Sequence, residues 1–441
     1  MRSRNIFIVV FLTSLWASGY AALAPEVQNA LGSIRATSLR GDLSFLASDL
    51  LEGRDSPSRG LDIAAEYIAA QFRIAGLEPG VTGDYFQSAE MIDVQPNFTD
   101  FQMTLSRGGR EFSVRPSDAL PQMDSAVDLK DAPLFKLDSV DAASQAEGKV
   151  LITAIDPRLL ARSRAAARVL RGAKLMILVD PGGVTLREEP LHQLEDPSEP
   201  RADIPRITLT GDAAARFYGD LKPGPGDASI SAHIDAPTRQ RATLRNVIGI
   251  LRGSDPALRD TCVMLTAHYD HLGKRPDGSG DRIYNGANDD GSGTVSVIAA
   301  ARALALLKQR PKRSIVFMTF FGEEEGLIGS QYYAHHPVWP LEKTVAQLNL
   351  EQVGRTDSTE GPQLANATLT GFDYSDLTSY VQRAGASTGI RIYKHARNSD
   401  AYFGDSDNLS LAEEGVPAET LAVSFAFPDY HAVGDEWQKI D

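Results

Sequence analysis

Imidazoles and carboxylates recur through the second half of this 441-residue sequence, each time beside an apolar run. "CVMLTA" is followed by His268, Tyr269, Asp270 and His271, and "RSIVFMTFFG" by Glu323, Glu324 and Glu325. Between them lies "GANDDGSG", with Asp289 and Asp290; Glu351 stands within "LNLEQVG", and Tyr430 and His431 within "FPDYHAVGD". Carboxylates brought to one cleft repel each other unless cations offset their charge. Two histidines with several carboxylates offer the nitrogen and oxygen donors that suit zinc. With three or more acids, two ions bridged by one carboxylate become plausible. No "HExxH" occurs, so the one-helix zinc protease arrangement is absent.

The elements that must carry these residues alternate from position 243 onward. "CVMLTAH", "RSIVFMTF", "VAQLNLEQVG" and "VPAETLAV" read as strands, and "GTVSVIAAARALALLK", "GLIGSQYYAHH" and "SDLTSYVQRAGASTG" as helices. Such alternation implies an α/β sheet with helices on both faces. Ligands of such sheets collect beyond the carboxyl ends of the strands. Residues 36–76 read as two helical pieces broken near "EGRDSPSRG". Residues 95–240 differ: short β-like runs ("FQMTLSRG", "KVLITAID", "LMILVD", "ASISAHI"), proline-rich connections and one alanine-rich helix, "RLLARSRAAARVLRGA". That stretch holds His192 and His233 without a dense ligand cluster of its own, and reads as an inserted accessory domain.

Hydrophobic residues make up 42% of the chain and charged residues 23%, the composition of a globular protein. A net charge of −14 disfavours nucleic acid and anionic membranes as partners. Arg2 and Arg4, the apolar run Ile6 to Trp16 and the small residues behind it read as a secretory signal peptide over residues 1–21, too short in its apolar part for a spanning helix. The expected location is secreted or periplasmic, with no membrane contact after cleavage. Cys262, the only cysteine, cannot form an internal disulfide.

"TAHYDHLG", "GANDDGSG", "FGEEEGLIGS", "NLEQVGR" and "PDYHAVGDEWQKID" resemble, in order, the metal motifs of the secreted dizinc aminopeptidase family, whose fold glutamate carboxypeptidase and glutaminyl cyclase share. "LRGDLSFLASDLLEGRDSPSRGLDIAAEYIAAQF" resembles the helical lead-in of its bacterial members. The resemblance implies a phosphorylase/hydrolase-like three-layer αβα zinc peptidase domain with a mixed sheet. It divides the chain into a lead-in at 22–94, a β-rich protease-associated-like insert at 95–240 and a catalytic domain at 241–441. It also implies two Zn²⁺ ions, with His268 and Glu351 on one, His431 and Glu324 on the other, and Asp289 bridging both. Asp270 would orient His268, Glu323 would be the general base, and Tyr430 would hydrogen-bond the tetrahedral oxyanion. Peptides are the implied partners, cleaved from the amino end.

Alternatives stand beside these assignments. Asp290 could replace Asp289 as the bridge, and Tyr430 could be a packed aromatic. His271 reads as structural, and His335 and His336 as residues meeting helix-terminal carbonyls. Glu325 is expected in solvent. "FGDSDN" stands where the family often has Arg-Ser-Asp-His, with Asp405 and Asn408 at the arginine and histidine positions. Competing functions are a carboxypeptidase or a glutaminyl cyclase of the same fold, and a non-catalytic binding protein of the transferrin-receptor kind.

Overall fold

The computed structural model describes residues 23–145, 147–155, 172–180, 191–198, 205–275, 280–356, 364–425 and 427–441. The leader at 1–21 and most of "RLLARSRAAARVLRGA" lie outside them. Two mixed sheets organise the chain. In the first, Cys262–His268 lies parallel to both Ser314–Phe320 and Thr344–Leu350, and Thr344–Leu350 lies parallel to Ala418–Ala422. Thr238–Leu251 runs antiparallel between Ser314–Phe320 and Phe86–Gln95.

The burial pattern explains why these runs are strands. Successive side chains of a strand face opposite ways, and both faces here are covered. From Ser314–Phe320, Phe317 packs into a core with Leu61, Ile68, Phe72 and Ile298, while Val316, Met318 and Phe320 pack on the other face with Tyr333, Trp339 and Leu411. The helices Ala36–Leu46, Arg59–Ile74 and Ser292–Ala305 line the first face; Ile328–His335 and Asn408–Glu413 line the second. Arg59–Ile74 begins where the Ser58 side chain accepts from Leu61 N at 3.0 Å and buries Leu61, Ala65, Ile68 and Phe72 on one stripe. Each such Leu, Ile or Phe contributes roughly 1.5–3 kcal/mol by burial.

The second sheet is built from residues 102–234 and has its own core, including Met103, Leu105, Ile152, Ile177, Ile207 and Ile230. The chain leaves the first sheet at Gln95 and re-enters it at Thr238, residues paired with each other. Within this excursion, Gln193–Glu195 returns to pair with the edge of Phe86–Gln95.

The break between the first helices is a fastening. Arg54, 1% exposed, donates through Nε to Tyr269 O at 2.8 Å and through its terminal nitrogens to the carbonyls of Leu46, Asn285 and Gly286. It therefore ties the lead-in to the residue that follows His268 and to the start of the loop that carries Asp289. Glu52, Gly53 and Arg54 adopt positive φ to bring it there, and a Cβ on Gly53 would stand 2.4 Å from Gly273 O. Replacing Arg54 by Met should leave several buried carbonyls short of a donor, at about 1–3 kcal/mol each. Denaturant unfolding should show a loss of at least about 3 kcal/mol; a loss below about 1 kcal/mol would show that the fastening is dispensable.

Candidate metal centre

His268 ends its strand wholly buried, and neither of its ring nitrogens makes a hydrogen bond. Asp289 Oδ1 lies 3.2 Å from His268 Nε2, and Asp289 Oδ2 lies 3.1 Å from His431 Nε2. Asp289 thus stands between the two imidazoles, one oxygen toward each. Glu324 Oε2 is 3.2 Å from His431 Nε2, and Glu323 Oε2 is 3.9 Å from His268 Nε2. Two ligand groups result, His268–Asp289–Glu324 and His268–Glu323–Glu351, each with its donor atoms within 4.8 Å of one another. Ligand atoms around a tetrahedral zinc at about 2.0–2.1 Å stand about 3.3 Å apart, close to the shorter separations here. The orphaned ring nitrogens and the imidazole–carboxylate donor set fit such an ion.

Other carboxylates in the cluster hold backbone. Asp270 accepts from Glu323 N at 3.2 Å and Glu324 N at 3.3 Å, and its Oδ1 lies 3.5 Å from His268 Nδ1. One side chain thereby positions both glutamates and stands next to the histidine. Asp290 accepts from Gly293 N, His268 N and Gln352 N, which turns it into the backbone and leaves Asp289 facing the imidazoles. Asp435 accepts from Asn288 N and Asp289 N. The glycines have steric reasons: a Cβ on Gly286 would stand 2.3 Å from Asp289 O, and one on Gly293 would stand 2.2 Å from Leu350 O.

Taken as protein groups alone, these side chains pull each other in opposite directions. Burial raises Glu323 well above the usual carboxylate range, and Glu351, Glu324 and Asp407 add to it. Burial likewise pushes Glu351 up to about 7. Burial works against ionised Asp289 and Glu324, yet the two imidazoles hold Asp289 below its ordinary range, and His431 and His271 hold Glu324 at about 2. Burial disfavours charge on His268 and His431, but the surrounding acids keep both well above the ordinary imidazole value. Tyr430 stacks on His431, ring centroids 3.9 Å apart, and burial beside Asp289, Glu324, Glu323 and Glu351 keeps its hydroxyl protonated.

The structure brings His268, Asp270, Asp289, Glu323, Glu324, Glu351, Tyr430 and His431 to one place. His271 joins them indirectly, its Nδ1 2.6 Å from Glu324 Oε1. His336 Nδ1 lies 3.1 Å from Tyr332 O, at the carbonyl end of its helix. One expectation fails. Glu325 is not in solvent: its side chain is 4% exposed and faces His192, because the Glu323–Gly326 turn directs it under the edge strand Gln193–Glu195. Four contributors went unread in the sequence. Ser406 donates to Glu351, Asp407 is buried beside the centre, Asp435 anchors the Asp289 loop, and Arg54 is the buried guanidinium described above. Each had a usable signal: Asp435 in "HAVGDEW", Arg54 in "LEGRD", and Ser406 and Asp407 in "FGDSDN", where they stand at the serine and aspartate positions of the family stretch.

Residues 246–441 match the model of Peptidase family M28. Aminopeptidase YwaD of Bacillus subtilis is 32% identical over 176 residues, 40% of this chain and 34% of the relative. A probable glutamate carboxypeptidase of Zea mays is 28% identical over 238 residues, 50% of this chain and 30% of the relative. The chain thus spans about a third of the length of these curated relatives. Among solved structures, a zinc aminopeptidase from Bacillus subtilis superposes with a TM-score of 0.55 at 20% identity, covering 92% of this chain and 91% of that one. The likeness shows a shared fold across nearly the whole chain. No helix among the described residues is long and apolar enough to cross a membrane.

Proposed function

We propose that the chain is a dizinc aminopeptidase that releases amino-terminal residues from peptides. The observation that carries this reading is Asp289, with one oxygen toward His268 and the other toward His431. His268 and Glu351 would complete one site and His431 and Glu324 the other. Zinc bound there would polarise the scissile carbonyl and acidify a water molecule. Glu323, whose Oε2 lies 3.9 Å from His268 Nε2, would accept that water's proton and return it to the leaving amine. Tyr430, held protonated, would donate to the oxyanion. A relative named as an aminopeptidase and a zinc aminopeptidase of the same fold support this reading.

The direction of attack rests on charge. A free amino end is attracted by the acids gathered at the centre, Glu323, Glu324 and Glu351 among them. A carboxypeptidase needs an arginine for the substrate carboxylate, whereas Arg355, close to the motifs, is engaged by Asp429 at 2.6 Å. The stretch "NSDAYFGDSDN" holds three acids and no base ahead of His431, of which Asp400 is taken by Lys394 at 2.8 Å. An exported location, read from residues 1–21, belongs to the same proposal.

We further infer that residues 95–240 form a protease-associated-like domain inserted in the peptidase domain of 22–94 and 241–441. The separate core of the second sheet and the adjacent exit and entry at Gln95 and Thr238 support it. Limited proteolysis should cut first in the exposed stretch Phe98 to Asp100 and leave the motif-bearing half intact. First cuts in the strands around His268 or Glu323 would count against an independent insert.

Hydrolysis of aminoacyl-p-nitroanilides tests the activity and its mechanism together. Wild type should cleave them, and acetylation of the substrate amine should abolish cleavage. Glu323→Gln should keep its zinc and lose about 10²–10⁴-fold in turnover, as removal of a general base does. Glu324→Ala should lose zinc as well. Full activity of Glu323→Gln would remove the base assignment, and preference for a free carboxyl end would move the chain to the carboxypeptidase reading.

A further inference from the structure

We propose that His192, Asp55 and Glu325 form a third divalent-cation site, of the nitrogen-and-oxygen kind that takes zinc, distinct from the centre at His268 and His431. The three donors come from separate parts of the chain. Asp55 follows the Arg54 fastening, His192 precedes the edge strand Gln193–Glu195, and Glu325 closes the turn that carries Glu323 and Glu324. Their ligand atoms lie within 4.8 Å of one another. His192 Nε2 stands 3.2 Å from Asp55 Oδ1 and 3.5 Å from Glu325 Oε1. These separations match the about 3.3 Å expected between neighbours on a tetrahedral zinc.

Two further observations point to a ligand. Glu325 Oε1 makes no hydrogen bond, although the side chain is only 4% exposed and aims at His192 Nε2. Leaving a carboxylate oxygen buried and unsatisfied is costly, and a cation would remove that cost. A further carboxylate lies behind the ring, with Asp93 Oδ1 2.9 Å from His192 Nδ1 but out of hydrogen-bond alignment with it. A carboxylate on the far nitrogen of a ligating imidazole is the usual second contact in metal sites, and Asp270 stands in that relation to His268. Among the described residues, no lysine or arginine forms an ion pair with Asp55, Asp93 or Glu325. Even a protonated His192 would leave the acids in excess. Asp55 is about one-third exposed, which gives an ion a route in.

A cation here would clamp the returning strand of the excursion to the turn bearing Glu323 and Glu324. The test is a zinc count on chelator-stripped, refilled protein, with zinc alone as the probe. Asp55→Asn and His192→Gln should each bind one equivalent fewer than wild type, with circular dichroism confirming the fold. The result is kept separate from the dizinc reading by making Asp55→Asn in the Glu324→Ala background, where it should still remove one equivalent. Equal zinc counts for wild type and both folded variants would overturn the proposal and leave an imidazolium bridged to acids. If His192→Gln fails to fold, the comparison of wild type with Asp55→Asn decides alone.

Discussion

The structure depends on how carboxylates are crowded, out of water, at the carboxyl ends of a parallel run of strands. At an effective dielectric constant near 20, two like charges 4 Å apart repel by about 4 kcal/mol. A few such pairs left uncompensated equal a typical domain's net stability of about 5–15 kcal/mol. The chain divides the acids into two kinds of use. Asp270, Asp290 and Asp435 accept backbone N–H groups and fix the loops that carry the other side chains. Asp289, Glu323, Glu324 and Glu351 are turned toward the imidazoles, where His268 and His431 supply positive charge and bound cations would add to it.

The scaffold follows from that demand. Strands covered on both faces let the ligand residues sit at their ends in low dielectric. The Gly293 amide at the start of Ser292–Ala305 points at Asp290, and Gly286 and Gly293 allow the Asp289 loop to press against neighbouring backbone. Arg54 adds a fixed cation. Burial lowers it to about 10, and Asp270, Asp435, Asp290 and Asp289 act to keep it charged. It works mostly through carbonyls, so the acids keep their oxygens for other partners.

Much of this was legible in the sequence because it is local. Apolar runs such as "CVMLTAH" and "SIVFMTF" coincide with strands, and the residue after each run is where the chemistry gathers. The two helices broken at "EGRDSPSRG" also follow from pattern alone. Contacts set by the tertiary fold were not legible. Glu325 shares a turn with Glu323 and Glu324, and only the return of Gln193–Glu195 to the first sheet makes it a buried partner of His192. Ser406 and Asp407 reach Glu351 and the centre because Asn408–Glu413 packs against the second face of the sheet. Spacing within a segment carries no trace of such meetings.

Crystals grown with zinc, with diffraction recorded on either side of the zinc absorption edge, test the central claim most directly. Anomalous difference maps should show two peaks flanking Asp289, one within bonding distance of His268 and Glu351 and the other of His431 and Glu324. A single peak, or peaks away from Asp289, would contradict a bridged pair of ions as the counter-charge around which these strand ends are built.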